Sequence, residues 1–137
     1  MEQIKVFLDT NIVLDYFTGR MGDCLAEKIV QIGQTAQYRM CISVLTGINV
    51  LYISRKLKGH LTMSSISEQF ELLSVTDNQW NFASDIRLPD PEDALQLSCA
   101  RENGCRVLVT RDSHLLDCNI AGPRIMSPSE FIDNVTI

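Results

Sequence analysis

Short apolar runs alternate with segments of helical periodicity along this sequence, and that alternation constrains the fold more than any other feature. A strand that is buried on both faces is typically a continuous apolar run, because helices cover both sides of a parallel sheet. The runs lie at Ile4–Leu8, Arg39–Ser43, Leu73–Val75, Arg106–Val109 and Arg124–Met126. The pattern therefore predicts a three-layer α/β fold with a central parallel sheet of about five strands flanked by helices.

The helical segments begin and end at recognisable signals. Ser43 is in position to cap the longest helix, which Gly59 stops, and Asp23 is in position to cap the helix before it. Ser127 and Glu130 form a capping-box pattern around a proline. We expect helices up to Phe17, after Asp23, at Val44–Leu57, Met63–Leu72, Asn78–Ile86 and Pro91–Asn103, up to Leu116, and after Ser127.

Length and composition predict one ordinary globular domain over residues 1–137. The chain has 45% apolar and 21% charged residues, which argues against disorder. No secretory signal or membrane-length apolar run is visible, so we expect no membrane contact and a cytoplasmic location. The five cysteines include no CxxC pair, which argues against a disulfide framework or a thiolate zinc site. We expect Cys118 to be exposed and the others to be core residues.

The charge balance directs attention to the acidic residues. Twelve Lys and Arg against seventeen Asp and Glu give a net charge of −5, which makes a broad basic nucleic-acid surface unfavourable. Asp9 follows the first strand and Asp112 follows the strand at Arg106–Val109, so neighbouring strands would bring both carboxylates to one sheet edge. A later helix begins with three more acids, Asp90, Glu92 and Asp93.

Carboxylates gathered in this way repel one another unless a cation lies between them. Hard oxygen ligands favour Mg²⁺ or Mn²⁺ over zinc. Such an ion lowers the pKa of bound water and stabilises charge on a phosphodiester. Each acid also has a purely structural interpretation: Asp9, Asp90 and Asp112 are all placed to cap helices, and Asp93 to complement a helix dipole. The functional interpretation depends on their conjunction.

Four segments together resemble the PIN-domain ribonucleases, the family that includes the VapC-type toxins. They are Phe7–Asp15, Ile42–Thr46, Pro91–Gln96 and Val107–Asp112, in family order over nearly the whole chain. The resemblance implies a Rossmann-like sheet whose acidic pocket holds Mg²⁺ or Mn²⁺ for endonucleolytic cleavage of RNA. It also implies, for a toxin-like member, an antitoxin protein as partner and a homodimer as the oligomeric state.

The same resemblance assigns roles to individual positions. Asp9, Asp93 and Asp112 match the catalytic, metal-binding acids of the family. Asn49 and Asp90 are further candidate ligands, and Arg111, beside Asp112, is a candidate for contact with a substrate phosphate. The supporting polar positions are Thr10, Asn11, Ser43 and Thr110.

One departure from the family pattern bears on activity. Asn49 stands where the family usually places a glutamate, and its amide oxygen brings no negative charge. Asn49 is alternatively a hydrogen-bonded core amide. A second departure is Leu115, where some members carry an aspartate.

Two functions from different classes follow. The leading one is a metal-dependent endoribonuclease, the toxin of a toxin–antitoxin pair. The alternative is a catalytically impaired PIN-fold module that binds metal or RNA without cleaving, because Asn49 replaces the glutamate. A basic helix end at Arg55, Lys56 and Lys58 fits either phosphate contact or a solvated surface. An aspartate-based phosphotransferase is disfavoured, because Asn11 occupies the place of its second acid.

Overall fold

A parallel sheet forms the centre of the molecule. The computed structural model describes residues 2–135, so the ends of the expected domain 1–137, residues 1, 136 and 137, lie outside the described part. The strands are β1 (Ile4–Leu8), β2 (Tyr38–Ser43), β3 (Glu71–Leu73), β4 (Val107–Val109) and β5 (Arg124–Met126). Their order across the sheet is β3-β2-β1-β4-β5, and every neighbouring pair is parallel. The expected five-stranded parallel sheet is confirmed.

The central strand is β1, and its register fixes the position of everything at the carboxyl edge. Phe7 lies opposite Cys41 of β2 on one side and opposite Leu108 of β4 on the other. Strands β1 and β4 are neighbours, which is the arrangement required for Asp9 and Asp112 to meet at one edge of the sheet.

Helices cover both faces of the sheet. They are α1 (Thr10–Thr18), α2 (Leu25–Ile32), α3 (Val44–Lys56), α4 (Met63–Gln69), α5 (Asp77–Ala83), α6 (Pro91–Glu102), α7 (Ser113–Leu116) and α8 (Pro128–Asn134). Val6 and Leu8 of β1 pack in one core with residues of α1, α2, α3 and α8. Phe7, which points to the opposite face, packs in a second core with Leu97 of α6 and Leu115 of α7. This alternation confirms the three-layer architecture, and Leu115 is fully buried core.

Four element boundaries near the edge strand differ from expectation. The helix expected to reach Leu72 ends at Gln69, and β3 begins at Glu71 instead of Leu73. The carbonyl of Ser74 accepts a hydrogen bond from the Gln79 side chain, which belongs to the capping box of α5, so the strand ends earlier. At its other end α5 stops at Ala83, because Asp85 and Ile86 close tighter i→i−3 turns.

The helix caps largely follow the sequence signals. Ser43 accepts a hydrogen bond from the Thr46 amide at the start of α3, and the Ser127–Glu130 capping box is present at α8. Asp23 accepts from the Leu25 amide at 3.1 Å, but the residue that immediately precedes α2 is Cys24, with φ near +60°. Asp23 therefore caps α2 from one position before the residue that directly precedes the helix.

The expectation for the cysteines was wrong at two positions. Cys24 is the exposed cysteine and Cys118 is half-buried, whereas Cys41, Cys99 and Cys105 are buried as expected. Trp80 is 67% exposed, because Gln79 occupies the buried face of α5. Among residues 2–135 no helix has the length and apolar character needed to cross a membrane.

Candidate active site

The carboxyl edge of the sheet brings Asp9 and Asp112 together through one threonine. Thr110 directly follows β4, which is paired with β1. Its hydroxyl donates to Asp9 Oδ2 at 2.7 Å and accepts from the backbone amide of Asp112 at 3.0 Å. Thr110 therefore fixes the loop that carries Asp112 relative to Asp9.

Asp9 is held by several donors although it is almost fully buried. Its Oδ1 accepts from the Thr10 amide at 2.8 Å, and its Oδ2 also accepts from the Asn11 side chain at 3.3 Å. Burial raises the pKa of Asp9, the hydrogen bonds from Thr110 and Thr10 oppose that rise, and the nearby charges of Asp112 and Asp90 add to it. The hydrogen bonds orient a carboxylate that its surroundings otherwise disfavour.

The amino end of α6 delivers the remaining acids. Asp90 caps the helix by accepting from the Glu92 amide at 2.8 Å, and Pro91 is the first helical residue. Asp93 points inward and is 7% exposed. Burial, followed by repulsion from Asp9, Asp112, Asp90 and Glu92, raises the pKa of Asp93 to about 7. Helix α6 thus places a buried carboxylate among like charges.

These acids face one open cleft of about 320 Å³. Its walls come from the ends of β1 and β4 and from helices α1, α3 and α6. The lining residues are Asp9, Thr10, Asn11, Leu14, Asn49, Tyr52, Ile53, Asp90, Glu92, Asp93 and Asp112. The structure therefore brings together the three expected catalytic acids, the further candidates Asn49 and Asp90, and the supporting residues Thr10 and Asn11. Asp9, Asp90 and Asp112 each immediately precede a helix and cap it. These three acids therefore cap helices and line the cleft at the same time.

A buried hydrogen-bond network lies behind the cleft and includes Ser43. The Ser43 hydroxyl donates to Gln96 Oε1 at 2.6 Å, and the Gln96 amide donates to the hydroxyls of Thr46 and Thr10. Thr10 and Thr46 share a further hydrogen bond at 2.8 Å. The network joins α1, α3 and α6, which are the helices that line the cleft. Sequence reasoning missed Gln96, whose signal was a polar side chain on the buried face of an apolar helix.

Arg111 lies beside the cleft but is bound to another residue. It makes two hydrogen bonds to the buried Asp15 carboxylate, at 2.7 and 3.1 Å, and Arg20 contacts the same carboxylate at 2.6 Å. Its expected contact with a substrate phosphate therefore stays a prediction, and it would require a guanidinium already engaged in an ion pair. Sequence reasoning also missed Asp15, whose signal was an acid between the apolar residues of α1.

Asn49 of α3 contacts an acid that sequence reasoning noted but did not assign to the site. Its side-chain amide donates to Glu92 Oε1 at 2.9 Å. Burial raises the pKa of Glu92, and the charges of Asp90 and Asp9 raise it further. Asn49 is therefore hydrogen-bonded, as the structural interpretation expected, but its partner lies in the cleft rather than in the core.

The donor set suits a hard divalent cation, although the carboxylates stand apart. No group of three or more His, Cys, Asp or Glu side chains within residues 2–135 is arranged as it stands to hold a metal ion. Asn11 lines the same cleft, and its Oδ1 is buried and has no hydrogen-bond partner within that range. An unpaired oxygen beside several repelling carboxylates is the chemistry that Mg²⁺ or Mn²⁺ satisfies. The residues therefore fit a divalent cation, which would have to draw the carboxylates together.

Comparison with known proteins agrees with the geometry. A family model described as "PIN domain" matches residues 5–114. A toxin–antitoxin complex from Klebsiella pneumoniae contains a chain of similar fold, with a TM-score of 0.71 and 21% identity over 90% of this chain and 97% of that one. VapBC2 from Rickettsia felis, bound to a DNA fragment from its promoter, gives a TM-score of 0.64 and 13% identity over 90% of this chain and 98% of that one.

A third solved structure extends the same likeness. VapC20 from Mycobacterium tuberculosis, a toxin that cleaves the sarcin–ricin loop, gives a TM-score of 0.58 and 17% identity over 79% of this chain and 90% of that one. No curated protein sequence matches this chain significantly. At these identities the structures show a shared fold, whereas the family model covers most of the chain. The chain belongs to the PIN domain family.

Proposed function

We propose that this protein is a metal-dependent endoribonuclease and the toxin of a toxin–antitoxin pair. The observation that carries the proposal is the convergence of Asp9, Asp93 and Asp112 on one open cleft at the carboxyl edge of the sheet. Membership of the PIN domain family supports it, as does the fold shared with VapC20, a toxin that cleaves the sarcin–ricin loop. The acids lie on three different elements, so only the folded chain brings them together.

In this proposal Asp9, Asp93 and Asp112 hold Mg²⁺ or Mn²⁺, with Asp90 and Asn49 at the margin of the site. A divalent cation bound there supplies positive charge against the phosphodiester and favours the ionisation of water for in-line attack. Thr110 and Asn11 orient Asp9 through the hydrogen bonds described above. The Gln96 network fixes Thr10, whose backbone amide also binds Asp9, so the helices behind the cleft keep that carboxylate in place.

The path of the RNA strand runs along α3 in this proposal. Tyr52, which is 60% exposed, and Ile53 line the cleft from this helix. Lys56 lies over the Tyr52 ring at 4.5 Å, and Arg55 is in the same final turn. Bases stack on exposed aromatic rings, and basic side chains contact the phosphates. We assign the surface formed by Tyr52, Arg55 and Lys56, together with Lys58, to the RNA backbone and call it the basic rim.

The partner and oligomeric state belong to the same proposal. Two of the solved structures of similar fold are toxin–antitoxin complexes, which supports an antitoxin that masks the cleft. A homodimer is supported by exposed apolar side chains on neighbouring α3, α4 and β3: Ile48, Met63 and Leu72 are 53%, 65% and 41% exposed. The RNA substrate and the free thiols within residues 2–135 are consistent with a cytoplasmic location.

Cleavage of an unstructured RNA tests the catalytic proposal. We expect wild-type protein to cleave in Mn²⁺ or Mg²⁺ and to lose cleavage in EDTA, and we expect Asp9→Asn to lose at least about a hundredfold, because the principal cation ligand becomes a neutral amide. Asp133→Asn, the same change at an exposed position on α8, is the matched control and should cleave like wild type.

Equal cleavage by wild type and Asp9→Asn would refute this mechanism. Binding of Mn²⁺ by wild-type protein without cleavage of any RNA would instead favour the alternative, a PIN-fold module that binds metal or RNA and does not cut. Thermal unfolding with and without Mn²⁺ separates these outcomes, because a cation that binds the native state raises the unfolding temperature.

A further inference from the structure

We propose that Glu92 holds the cation together with Asp9, Asp93 and Asp112, and that Asn49 positions Glu92 for this task. The inference rests on the proposed function, which it deepens by naming another residue of the same site. It also gives the unexpected asparagine of α3 a role. The carboxylate absent from α3 would then be supplied by α6, on the opposite wall of the cleft.

The contact between the two walls carries the proposal. Glu92 is the second residue of α6, at a helix end where a carboxylate could turn outward to water. Instead its Oε1 accepts from the Asn49 side chain at 2.9 Å, a contact between residues 43 positions apart in sequence. This hydrogen bond keeps the carboxylate facing the cleft, near enough to Asp9 and Asp90 for their charges to act on it. Asn49 thus holds Glu92 among like charges.

The chemistry of the donor matters as much as its place. A lysine or arginine at position 49 would neutralise Glu92 and compete with a bound cation. An amide donates one hydrogen bond and leaves the negative charge of the carboxylate intact. A side chain that orients a metal-binding carboxylate by a hydrogen bond, without neutralising its charge, acts as an outer-sphere partner in a metal site.

A second observation at the cleft also indicates a bound cation. Asn11 lines this cleft, and its Oδ1 is buried without a hydrogen-bond partner in residues 2–135. A buried carbonyl oxygen left unsatisfied destabilises the fold, so an unpaired acceptor calls for a donor or a cation. Asn11 and Glu92 line the cleft from different helices, α1 and α6. A cation that drew Asn11 Oδ1 into its coordination sphere would satisfy this oxygen as well as the charge of Glu92.

Calorimetric titration of the full chain with Mn²⁺ alone, in the absence of RNA, tests the assignment. We expect Glu92→Gln to weaken Mn²⁺ binding about tenfold or more, because a ligating charge is lost. Asn49→Ala should weaken it by less, because the carboxylate remains but is no longer oriented. The double variant Asn49→Glu with Glu92→Gln returns the carboxylate to α3, and it should recover most of the affinity. Glu102→Gln, at the far end of the same helix, is the matched control and should bind like wild type.

The outcomes separate this inference from the proposed function. Wild-type Mn²⁺ affinity in Glu92→Gln, with binding lost in Asp93→Asn, would overturn the role of Glu92 and leave the proposed site standing. Failure of the double variant to recover affinity would overturn the exchange between α3 and α6. Absence of Mn²⁺ binding by wild-type protein itself would overturn both proposals. A cooperative unfolding transition, measured for every variant in EDTA, confirms that each compared protein is folded.

Discussion

At the residue scale, the cleft holds more negative charge than its burial favours. Asp9, Glu92 and Asp93 all have raised pKa values, with burial as the leading cause in each. Nearby carboxylates add to the rise, and no lysine or arginine lines the cleft among the residues described. Groups that would be easier to ionise in the unfolded chain therefore reduce the stability of the folded one at neutral pH. Such a cost is typical of a site arranged for a ligand that is bound only in function.

Asp93→Asn should stabilise the cation-free protein at alkaline pH. The folded pKa of Asp93 is about 7, above its unfolded value, so its unfavourable contribution grows as pH rises from the unfolded pKa towards 7, is complete above 7 and vanishes at acidic pH. In EDTA we expect the variant to gain on the order of 2 kcal/mol in free energy of unfolding at pH 8 and little at pH 4.5. Urea denaturation at both pH values measures this difference. An equal change at the two pH values would show that packing, not charge, governs the position.

At the element scale, one buried carboxylate joins α1 to the loop that precedes Asp112. Asp15, with a side chain only 4% exposed, is paired with Arg20 and Arg111, whose side chains are 44% and 32% exposed. Each arginine can neutralise the acid if the other is lost. The pair of arginines therefore protects the fold against a buried, uncompensated charge, which would be costly.

We expect the two arginines to be coupled. Arg20→Ala and Arg111→Ala should each lower the free energy of unfolding by about 1 kcal/mol, because the remaining arginine still pairs with Asp15. The double variant should lose about 3 kcal/mol or more, since a buried carboxylate is then left alone. Urea denaturation at pH 7 measures all three, and Asp15→Asn added to the double variant should recover part of the loss. Strict additivity would contradict the shared ion pair.

Elements also show what the sequence could and could not predict. The apolar runs identified every strand, but β3 was misplaced by two residues, because the Gln79 side chain ends it through the Ser74 carbonyl and no local pattern reveals that contact. The sheet-edge rule placed Asp9 and Asp112 correctly. The link between Asn49 and Glu92 depends on packing between α3 and α6, which spacing along the chain does not specify.

At the scale of the whole molecule, a net charge of −5 must be reconciled with an RNA substrate. Two bound divalent cations would contribute about +4 and remove most of that net charge at the place where the strand must approach. The basic rim lies on the last turn of α3 and at Lys58 just after it, so it places positive charge next to the acidic cleft. RNA binding should accordingly depend on both the cation and this helix end.

Loss of the basic rim should weaken RNA binding without affecting the cation. We expect Arg55→Ala with Lys56→Ala to reduce affinity for a short single-stranded RNA and to lower the salt dependence of binding by about two phosphate contacts. Mn²⁺ affinity should be unchanged, because neither side chain lines the acidic cleft. Fluorescence anisotropy at several salt concentrations measures the slope, with the recovered RNA checked for cleavage on a gel. Lys28→Ala, an exposed lysine on α2, is the control. An unchanged slope in the double variant would place the RNA elsewhere on the molecule, because a phosphate contact that is lost must reduce the number of counterions released.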